Sequence, residues 1–148
     1  MKTMNDIATV SHLRFEVGRL RLYGRGLVLA LPLDVLAAAY NGTGPEFLPG
    51  AIRAKLDAVA RPFSPAVMVH DVDYTFSDGT VGSFRSANRR LFVNCLICAL
   101  DAHPWHSWRR YALILEAYAL YRACAKFGWI AWIQAYNKNT KQKGNTNE

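Results

Sequence analysis

The spacing of hydrophobic residues changes along the chain, and each spacing predicts a type of element. Near the N-terminus, apolar and charged residues alternate on both sides of Gly18-Arg19, so we expect a β-hairpin over residues 11–26. Residues 1–10 are predicted to form a loose arm. From Ile52 onward the apolar residues recur every three or four positions, which predicts helices. The expected fold class is therefore mainly α with a small N-terminal β-hairpin.

Helix start and stop signals place the first two of three main helices. Ser64-Pro65, a capping hydroxyl followed by proline, is predicted to begin a helix that ends near residues 74–76. Residues 77–82 are rich in turn formers and predict a connector. The next helix is predicted to begin near Ser86 and to end at His103-Pro104, because a residue that precedes proline disfavours the helical conformation.

The third predicted helix is the longest and covers residues 107–136. Its apolar side chains surround most of its circumference, which is typical of a helix in a protein core. The aromatic segment from Trp129 to Trp132, followed by basic residues, leaves a membrane-interface role open. Residues 137–148 are polar and aperiodic, so we predict a disordered basic tail after one domain over residues 1–136.

Composition supports a packed domain with a basic surface. The chain has 148 residues, of which 51% are hydrophobic, and this is enough to bury a core. Its formal net charge of +7 favours an anionic partner, either a phospholipid membrane surface or an acidic protein. Nucleic acid is disfavoured because the basic residues are scattered rather than interleaved with exposed aromatic residues. Basic residues in the hairpin are equally typical of an edge strand protected by charge.

Cysteine usage and hydropathy indicate the cellular compartment in which the protein is expected. Of the three cysteines, Cys95 and Cys98 lie one helical turn apart without a second pair, which favours core cysteines in a reducing compartment over a zinc or redox site. The first residues contain no apolar block of the kind a secretory signal needs, so no signal peptide is predicted. No transmembrane segment is expected either, because no apolar run approaches the ~20 residues that span a bilayer.

A histidine and an aspartate stand side by side in the apolar run over residues 65–74. His70 is a titratable base and Asp71 is a ligand for a hard cation, so the pair could flank one hydrolytic pocket. Calcium takes roughly six to eight oxygen ligands, and the Gly-rich loop over residues 40–45 could add backbone carbonyls. The alternative is a hydrogen-bonded core histidine beside an aspartate that pairs with an arginine.

These motifs resemble the phospholipase A2 superfamily. The loop Tyr40-Asn41-Gly42-Thr43-Gly44, followed by a helix with His70-Asp71 and Tyr74, is similar to the disulfide-free members from bacteria, phages and parvoviral capsid proteins. Further points of likeness are Gly44-Pro45, Ser64-Pro65, Asn94, Trp108-Arg109-Arg110 and Phe127-Gly128. The resemblance covers residues 40–136 and implies a three-helix phospholipase-A2-like core behind a Gly-rich loop.

The resemblance also implies a role for each matching residue. His70 would be the general base that activates water against the sn-2 ester, and Tyr74 would support the network that orients His70. The implied cofactor is Ca²⁺, bound by the Asp71 carboxylate. The rest of the calcium shell would be the backbone carbonyls of Tyr40, Gly42 and Gly44.

One catalytic position departs from the family pattern. Where the family has an aspartate that holds the second nitrogen of the catalytic histidine, the matching step here is Ala87-Asn88. An amide can accept a hydrogen bond from the imidazole, but it carries no charge to stabilise the imidazolium. In serine proteases the corresponding Asp-to-Asn change lowers kcat by about 10⁴. Asp73 is a possible substitute, although it is expected to face solvent or one of Arg85, Arg89 and Arg90.

Two functions follow from these residues. The first is a calcium-dependent phospholipase-A2-type carboxylic ester hydrolase that acts on glycerophospholipids and is encoded by a phage. The alternative is a catalytically decayed scaffold that binds a partner, as a virion component or as an inhibitor of a host system. The expected location is the host cytoplasm or the virion.

Overall fold

The structure is a computed structural model that describes residues 7–11, 14–17, 20–24, 32 and 50–145. Within these residues the chain is mainly helical, which confirms the expected class. The strands are β1 Ile7–Ser11, β2 Arg14–Val17 and β3 Leu20–Tyr23. The helices are α1 Gly50–Ala60, α2 Ser64–Thr75, α3 Val81–Ala102, α4 Trp108–Phe127 and α5 Trp129–Asn145. The Gly-rich loop, with Tyr40, Gly42 and Gly44, lies outside the described residues.

The strands form one antiparallel sheet in the order β1-β2-β3. β2 and β3 pair antiparallel with Val17 opposite Leu20, as the predicted hairpin requires. β1 pairs with the other edge of β2, with Ser11 opposite Arg14. Residues 7–11 are therefore a strand, and the predicted loose arm is wrong over residues 7–10. Threonine and β-branched aliphatic residues in this segment have the side-chain shape that suits a pleated sheet.

The sheet is attached to α3 by one buried side chain and one amide. Leu22 of β3 has no exposed surface and belongs to the main hydrophobic core. Asn94 of α3 is also fully buried. Its Oδ1 accepts from the Tyr23 backbone N–H at 2.7 Å, and its Nδ2 donates to the Tyr23 carbonyl at 2.8 Å. Asn94 thus satisfies both backbone groups of an edge-strand residue, as a neighbouring strand would.

α2 begins at the predicted residue, but Ser64 does not cap it as predicted. The N-cap position is Phe63, which makes no side-chain capping bond, and proline follows within the first turn. The Ser64 hydroxyl instead donates to the Arg61 carbonyl at 2.8 Å, within the 3₁₀ turn Arg61–Phe63 that precedes the helix. Ser64 therefore stabilises the turn before α2 rather than the N–H groups of the helix itself.

α3 begins five residues before the predicted start at Ser86, since its first residue is Val81. The Thr80 side chain caps the helix by accepting from the Ser83 backbone N–H at 3.3 Å. Asp78 holds Thr80 in place, because its Oδ1 accepts from both the backbone N–H and the hydroxyl of Thr80 at 2.9 Å. The turn-forming residues 77–80 are thus a capping segment. At the other end, His103 is extended after Ala102, and the predicted C-terminus is confirmed.

The predicted third helix over residues 107–136 is two helices. α4 ends at Phe127, and α5 starts at Trp129 after the single residue Gly128. α5 continues to Asn145, so the predicted disordered tail is wrong over residues 137–145. A tertiary contact explains this extension: Asn139 Nδ2 donates to the Thr75 carbonyl at the end of α2, at 2.6 Å. This hydrogen bond attaches the polar segment of α5 to the end of α2.

The main core is shared by α2, α3 and α4 and includes Val69, Leu91 and Leu120. α2 supplies much of it, since most of its residues are buried. α4 contributes fewer side chains than predicted, because its fully buried residues are Ala117 and Leu120. The expectation of a widely buried helix is therefore wrong for α4. None of the helices in the described part of the chain has both the length and the apolar composition that crossing a bilayer requires.

The cysteines behave as core residues. Cys95 and Cys98 are buried in the main core. Burial raises the pKa of the Cys95 thiol, and the nearby thiols of Cys98 and Cys124 add to the effect. A raised thiol pKa is the reverse of what a reactive or metal-binding cysteine needs. This environment favours the core interpretation over a zinc or redox site.

Candidate active site

His70 lies on α2 and faces α3 across the core. Its side chain is 8% exposed, so the imidazole is almost removed from water. The ring packs against Tyr74, one helical turn further along, with the ring centroids 4.3 Å apart and the planes tilted by 47°. Apolar residues of α2 on either side, Val69 and Val72, are buried in the main core. Helix periodicity therefore turns His70 and Tyr74 together toward α3.

Asn88 of α3 connects these two side chains. Its Oδ1 lies 3.0 Å from His70 Nε2 and accepts from the Tyr74 hydroxyl at 3.1 Å. Because an amide oxygen can only accept, the His70 nitrogen that faces it carries the proton. That tautomer leaves the lone pair of a neutral ring on Nδ1. The sequence-predicted residues His70, Tyr74 and Asn88 thus form one hydrogen-bonded group, which we call the His70 triad.

Burial controls the ionisation of His70. It lowers the pKa of the imidazole from 6.5 to about 4, while the hydrogen bond that His70 donates to Asn88 acts in the opposite direction and the Arg90 charge lowers the pKa further. A histidine with this pKa is neutral at pH 7 and can accept a proton. The cost of holding that proton afterwards is high, because nothing in the triad carries a negative charge.

Tyr74 is a hydrogen-bond donor under all ordinary conditions. Burial raises the pKa of its hydroxyl, and the charges of Cys124, Asp71 and Asp73 raise it further, against the hydrogen bond to Asn88. The hydroxyl therefore keeps its proton and points it at Asn88 Oδ1. This contact fixes the amide in the orientation that His70 requires.

The other end of the Asn88 amide is unsatisfied among the described residues. Asn88 is 1% exposed, and its Nδ2 makes no hydrogen bond within the part of the chain that the structure describes. A buried donor without a partner costs roughly 1–3 kcal/mol. An aspartate carboxylate at the same position would have a second acceptor oxygen there instead of a donor.

Asp71 lies beside His70 on α2 and is half-buried. Its backbone carbonyl accepts from the Thr75 hydroxyl at 2.9 Å. Its charge raises the pKa of Tyr74 and contributes, after burial, to raising the pKa of Cys124 to about 12. The Asp71 carboxylate therefore lies close enough to Tyr74 of the triad, and to Cys124 near the C-terminal end of α4, to raise both pKa values.

The described residues supply one part of the predicted calcium shell. A carboxylate oxygen such as that of Asp71 is the ligand type that calcium prefers. Among the residues that the structure describes, no group of three or more acidic, histidine or cysteine side chains is placed to hold a metal ion. Of the predicted calcium ligands, Asp71 lies among the described residues, and Tyr40, Gly42 and Gly44 lie outside them.

Asp73 does not face solvent, as one of the alternatives predicted, but is fully buried. Its Oδ2 forms an ion pair with Arg90 Nε at 2.9 Å, and the Arg90 side chain is 22% exposed. Arg90 is one of the three arginines expected to be its partner. The pair links α2 to α3 next to the contact between His70 and Asn88. It also fixes the position of the Arg90 charge, which lowers the pKa of His70.

Two residues that were not predicted as part of the site hold Tyr74 in position. A Cβ atom on Gly128 would overlap the Tyr74 hydroxyl oxygen, so glycine is needed at this close approach. The Trp132 ring meets the Tyr74 ring edge-on, with centroids 5.1 Å apart. Trp132 has no exposed surface, which is inconsistent with a membrane-interface role for this residue. The Phe127-Gly128 step was the only sequence signal for this support.

The site is therefore a buried, neutral His70 that is oriented by the Asn88 amide. Tyr74 holds this amide and packs against Trp132 of α5. No family model, curated protein or solved structure matches this chain.

Proposed function

We propose that this protein is a phospholipase-A2-like hydrolase that cleaves acyl esters of glycerophospholipids. The observation that carries the proposal is the contact of His70 Nε2 with Asn88 Oδ1 at 3.0 Å. This contact directs one ring nitrogen toward an orienting residue and leaves the other, Nδ1, as the base. A general base needs this combination of a defined tautomer and a free lone pair.

In the proposed reaction, His70 Nδ1 takes a proton from a water molecule as the water attacks the ester carbonyl. The proton then passes from the imidazolium to the leaving alcohol, and the ring returns to its neutral form. Asn88 keeps the ring plane fixed throughout, and the Tyr74 hydroxyl keeps Asn88 fixed. Because Asn88 is neutral, it orients the imidazolium without stabilising its charge.

Calcium is the cofactor of this proposal. The Asp71 carboxylate would hold it together with the backbone carbonyls of Tyr40, Gly42 and Gly44. When bound, the ion would polarise the ester carbonyl and stabilise negative charge on its oxygen. The partner is the phospholipid surface that contains the substrate, and a phage-encoded protein of the host cytoplasm or the virion is the corresponding setting.

A second candidate function is a decayed hydrolase scaffold that binds an acidic protein. Two observations favour it: Asn88 is neutral, and burial lowers the pKa of His70 to about 4. Both disfavour the imidazolium that hydrolysis must form. In this alternative the net charge of +7 serves partner binding, and the His70 triad is a structural contact between α2 and α3.

A calcium titration with a fluorescent phospholipid substrate tests the two functions. Wild type should release fatty acid only with calcium, and His70→Gln should abolish the release. His106→Gln is the matched control, because His106 is exposed and far along the chain from the triad. If wild type is inactive and Asn88→Asp restores calcium-dependent release, the site is a decayed hydrolase. If neither protein releases fatty acid or binds calcium, hydrolysis is excluded.

A further inference from the structure

One side of α4 is apolar, basic and uncovered in the described part of the chain. We propose that this surface binds an anionic phospholipid bilayer, with the helix lying in the plane of the membrane interface. We call it the α4 outer face, and it consists of Trp108, Tyr111, Leu115, Tyr118, Arg122 and Lys126. The proposal concerns binding alone and does not rest on hydrolysis.

The spacing of these residues places them on one side of the helix. They follow one another at intervals of three and four positions, so their side chains lie in a single row. Their exposed fractions are 73% for Trp108, 57% for Tyr111, 70% for Leu115 and 47% for Tyr118. The buried residues of the same helix, Ala117 and Leu120, point away from this row toward the core. Large apolar side chains in one exposed row mark an interaction surface rather than incidental exposure.

A further aromatic residue extends the apolar end of the face. Trp105 lies in the turn before α4 and is 74% exposed. The Tyr111 hydroxyl donates to the Trp105 backbone carbonyl at 3.1 Å, which holds this turn beside the start of the row. Two tryptophans and one tyrosine, Trp105, Trp108 and Tyr111, are thus presented at one end. Their amphipathic rings favour the headgroup region of a bilayer.

The charges on α4 favour an anionic surface. The helix has four basic residues and one acidic residue: Arg109, Arg110, Arg122, Lys126 and Glu116. Two cations lie over aromatic rings of the face, Arg109 over Trp108 and Arg122 over Tyr118, each 5.9 Å from the ring centroid. Arg110 donates to the Leu100 carbonyl of α3, so the cations available to a membrane are Arg109, Arg122 and Lys126. Basic residues beside an anionic membrane favour binding, and these three are complementary to phosphate headgroups.

The basic end of the face also has a shape that suits a headgroup. An open depression of about 430 Å³ is lined by Tyr118, Tyr121, Arg122, Ala125 and Lys126. The lining includes two tyrosines and two cations, and cations of this kind form charge-assisted hydrogen bonds with phosphate oxygens. An apolar row that ends in an open basic depression matches the two layers of a membrane interface, acyl chain and headgroup.

Sedimentation with vesicles of ether-linked lipids tests the proposal. These lipids lack acyl esters, so the wild-type protein cannot cleave them and binding is measured whether or not the protein is an enzyme. Wild type should sediment with vesicles that contain ether-linked phosphatidylglycerol and much less with vesicles of ether-linked phosphatidylcholine. Leu115→Glu should weaken the binding to anionic vesicles by at least about tenfold, because it places a charge in the apolar row.

Leu100→Glu is the matched control, since Leu100 is 49% exposed and lies on α3. It introduces the same charge outside the face and should leave most of the binding intact. Arg122→Glu combined with Lys126→Glu should remove the preference for anionic over neutral vesicles. Circular dichroism of each variant establishes that the helices are retained.

Three outcomes would overturn the proposal. Equal binding of wild type to neutral and anionic vesicles would exclude charge recognition, and equal loss in Leu115→Glu and Leu100→Glu would exclude this face. A wild-type protein that is a dimer in solution, and that Leu115→Glu converts to a monomer without any vesicle binding, would assign the face to a second copy of the chain.

Discussion

At the scale of single residues, the proposed role of His70 as a general base combines two requirements that oppose each other. A base must be neutral before it reacts and charged afterwards, and burial supports only the neutral state. Its 8% exposure and its pKa of about 4 describe a ring that is neutral and oriented. An aspartate at position 88 would supply the missing charge. Asn88 supplies the orientation alone.

The low pKa of His70 makes stability depend on pH in a defined window. Between pH 6.5 and about 4 the unfolded chain binds a proton at His70 and the folded chain does not. The free energy of unfolding therefore rises with pH across this window and falls by about 3 kcal/mol as the pH is lowered through it. Urea unfolding at several pH values measures this slope.

His70→Gln is the reference for that slope, because glutamine does not titrate. The variant should lose less stability than wild type between pH 6.5 and 4, whatever its stability at neutral pH. Equal slopes for the two proteins would show that His70 is not the group that resists protonation.

Asn88→Asp should raise the pKa of His70. A carboxylate in contact with an imidazole favours the cation and generally raises its pKa by about 1–3 units. An NMR titration of the His70 ring measures the change directly. Asn137→Asp adds the same charge at an exposed position of α5 and should leave the His70 pKa in place. An unchanged pKa in Asn88→Asp would contradict the contact between the two side chains.

At the scale of elements, α5 packs against the helices that carry the site. Gly128 ends α4, its N–H donating to the Cys124 carbonyl at 2.8 Å, and it leaves room for the Tyr74 hydroxyl. Beyond it, Trp132 packs with Phe84 and Ala87 of α3 in a second, smaller core. Tyr136 lies against Gly79, whose positive φ of 74° and close ring contact favour glycine. α5 thus touches both helices that carry the His70 triad.

Gly128→Ala should destabilise the protein by roughly 1–3 kcal/mol, because the new methyl group overlaps Tyr74 and the Cys124 carbonyl. In the Tyr74→Phe background the same substitution should cost less, since the hydroxyl that it meets is absent. Urea unfolding of the four proteins gives this coupling energy as a double-mutant cycle.

Gly82→Ala is the control for the effect of alanine itself. Gly82 is in the first turn of α3, and a Cβ there meets nothing within 4 Å. Alanine at this position should be neutral or stabilise by up to about 1 kcal/mol. An identical cost of Gly128→Ala in both Tyr74 backgrounds would show that Gly128 does not make room for the hydroxyl.

At the scale of the whole molecule, the sheet and the helices are joined chiefly through β3. Leu22 provides the apolar contact and Asn94 the polar one. Because the Asn94 amide satisfies both backbone groups of Tyr23, it substitutes for a fourth strand on the side of α3. The hairpin is thereby held on the same helix that carries Asn88.

Asn94→Ala should lower the free energy of unfolding by roughly 2–4 kcal/mol, because two backbone groups of Tyr23 lose their buried partner. Hydrogen exchange at the Tyr23 amide should accelerate, while the helical circular dichroism signal is kept. Asn137→Ala, at an exposed position, should change neither quantity. Unchanged exchange at Tyr23 in Asn94→Ala would exclude the amide as the attachment of the sheet.

The sequence by itself determined the local elements and the members of the triad. Alternation about Gly18-Arg19 predicts the β2–β3 pair, and Ser64-Pro65 and His103-Pro104 mark ends of α2 and α3. His70 and Tyr74 are one helical turn apart, so their common direction follows from the helix alone. These are local properties, set by backbone conformation and by side-chain spacing within one element.

Only the tertiary structure decided how these elements meet. The requirement for glycine at position 128 comes from Tyr74 of another helix, and Asn139 in the polar part of α5 bonds to the Thr75 carbonyl. Burial is also a tertiary quantity, because it depends on what packs against each helix. It keeps the His70 imidazole neutral, whereas the row from Trp108 to Tyr118 stays exposed.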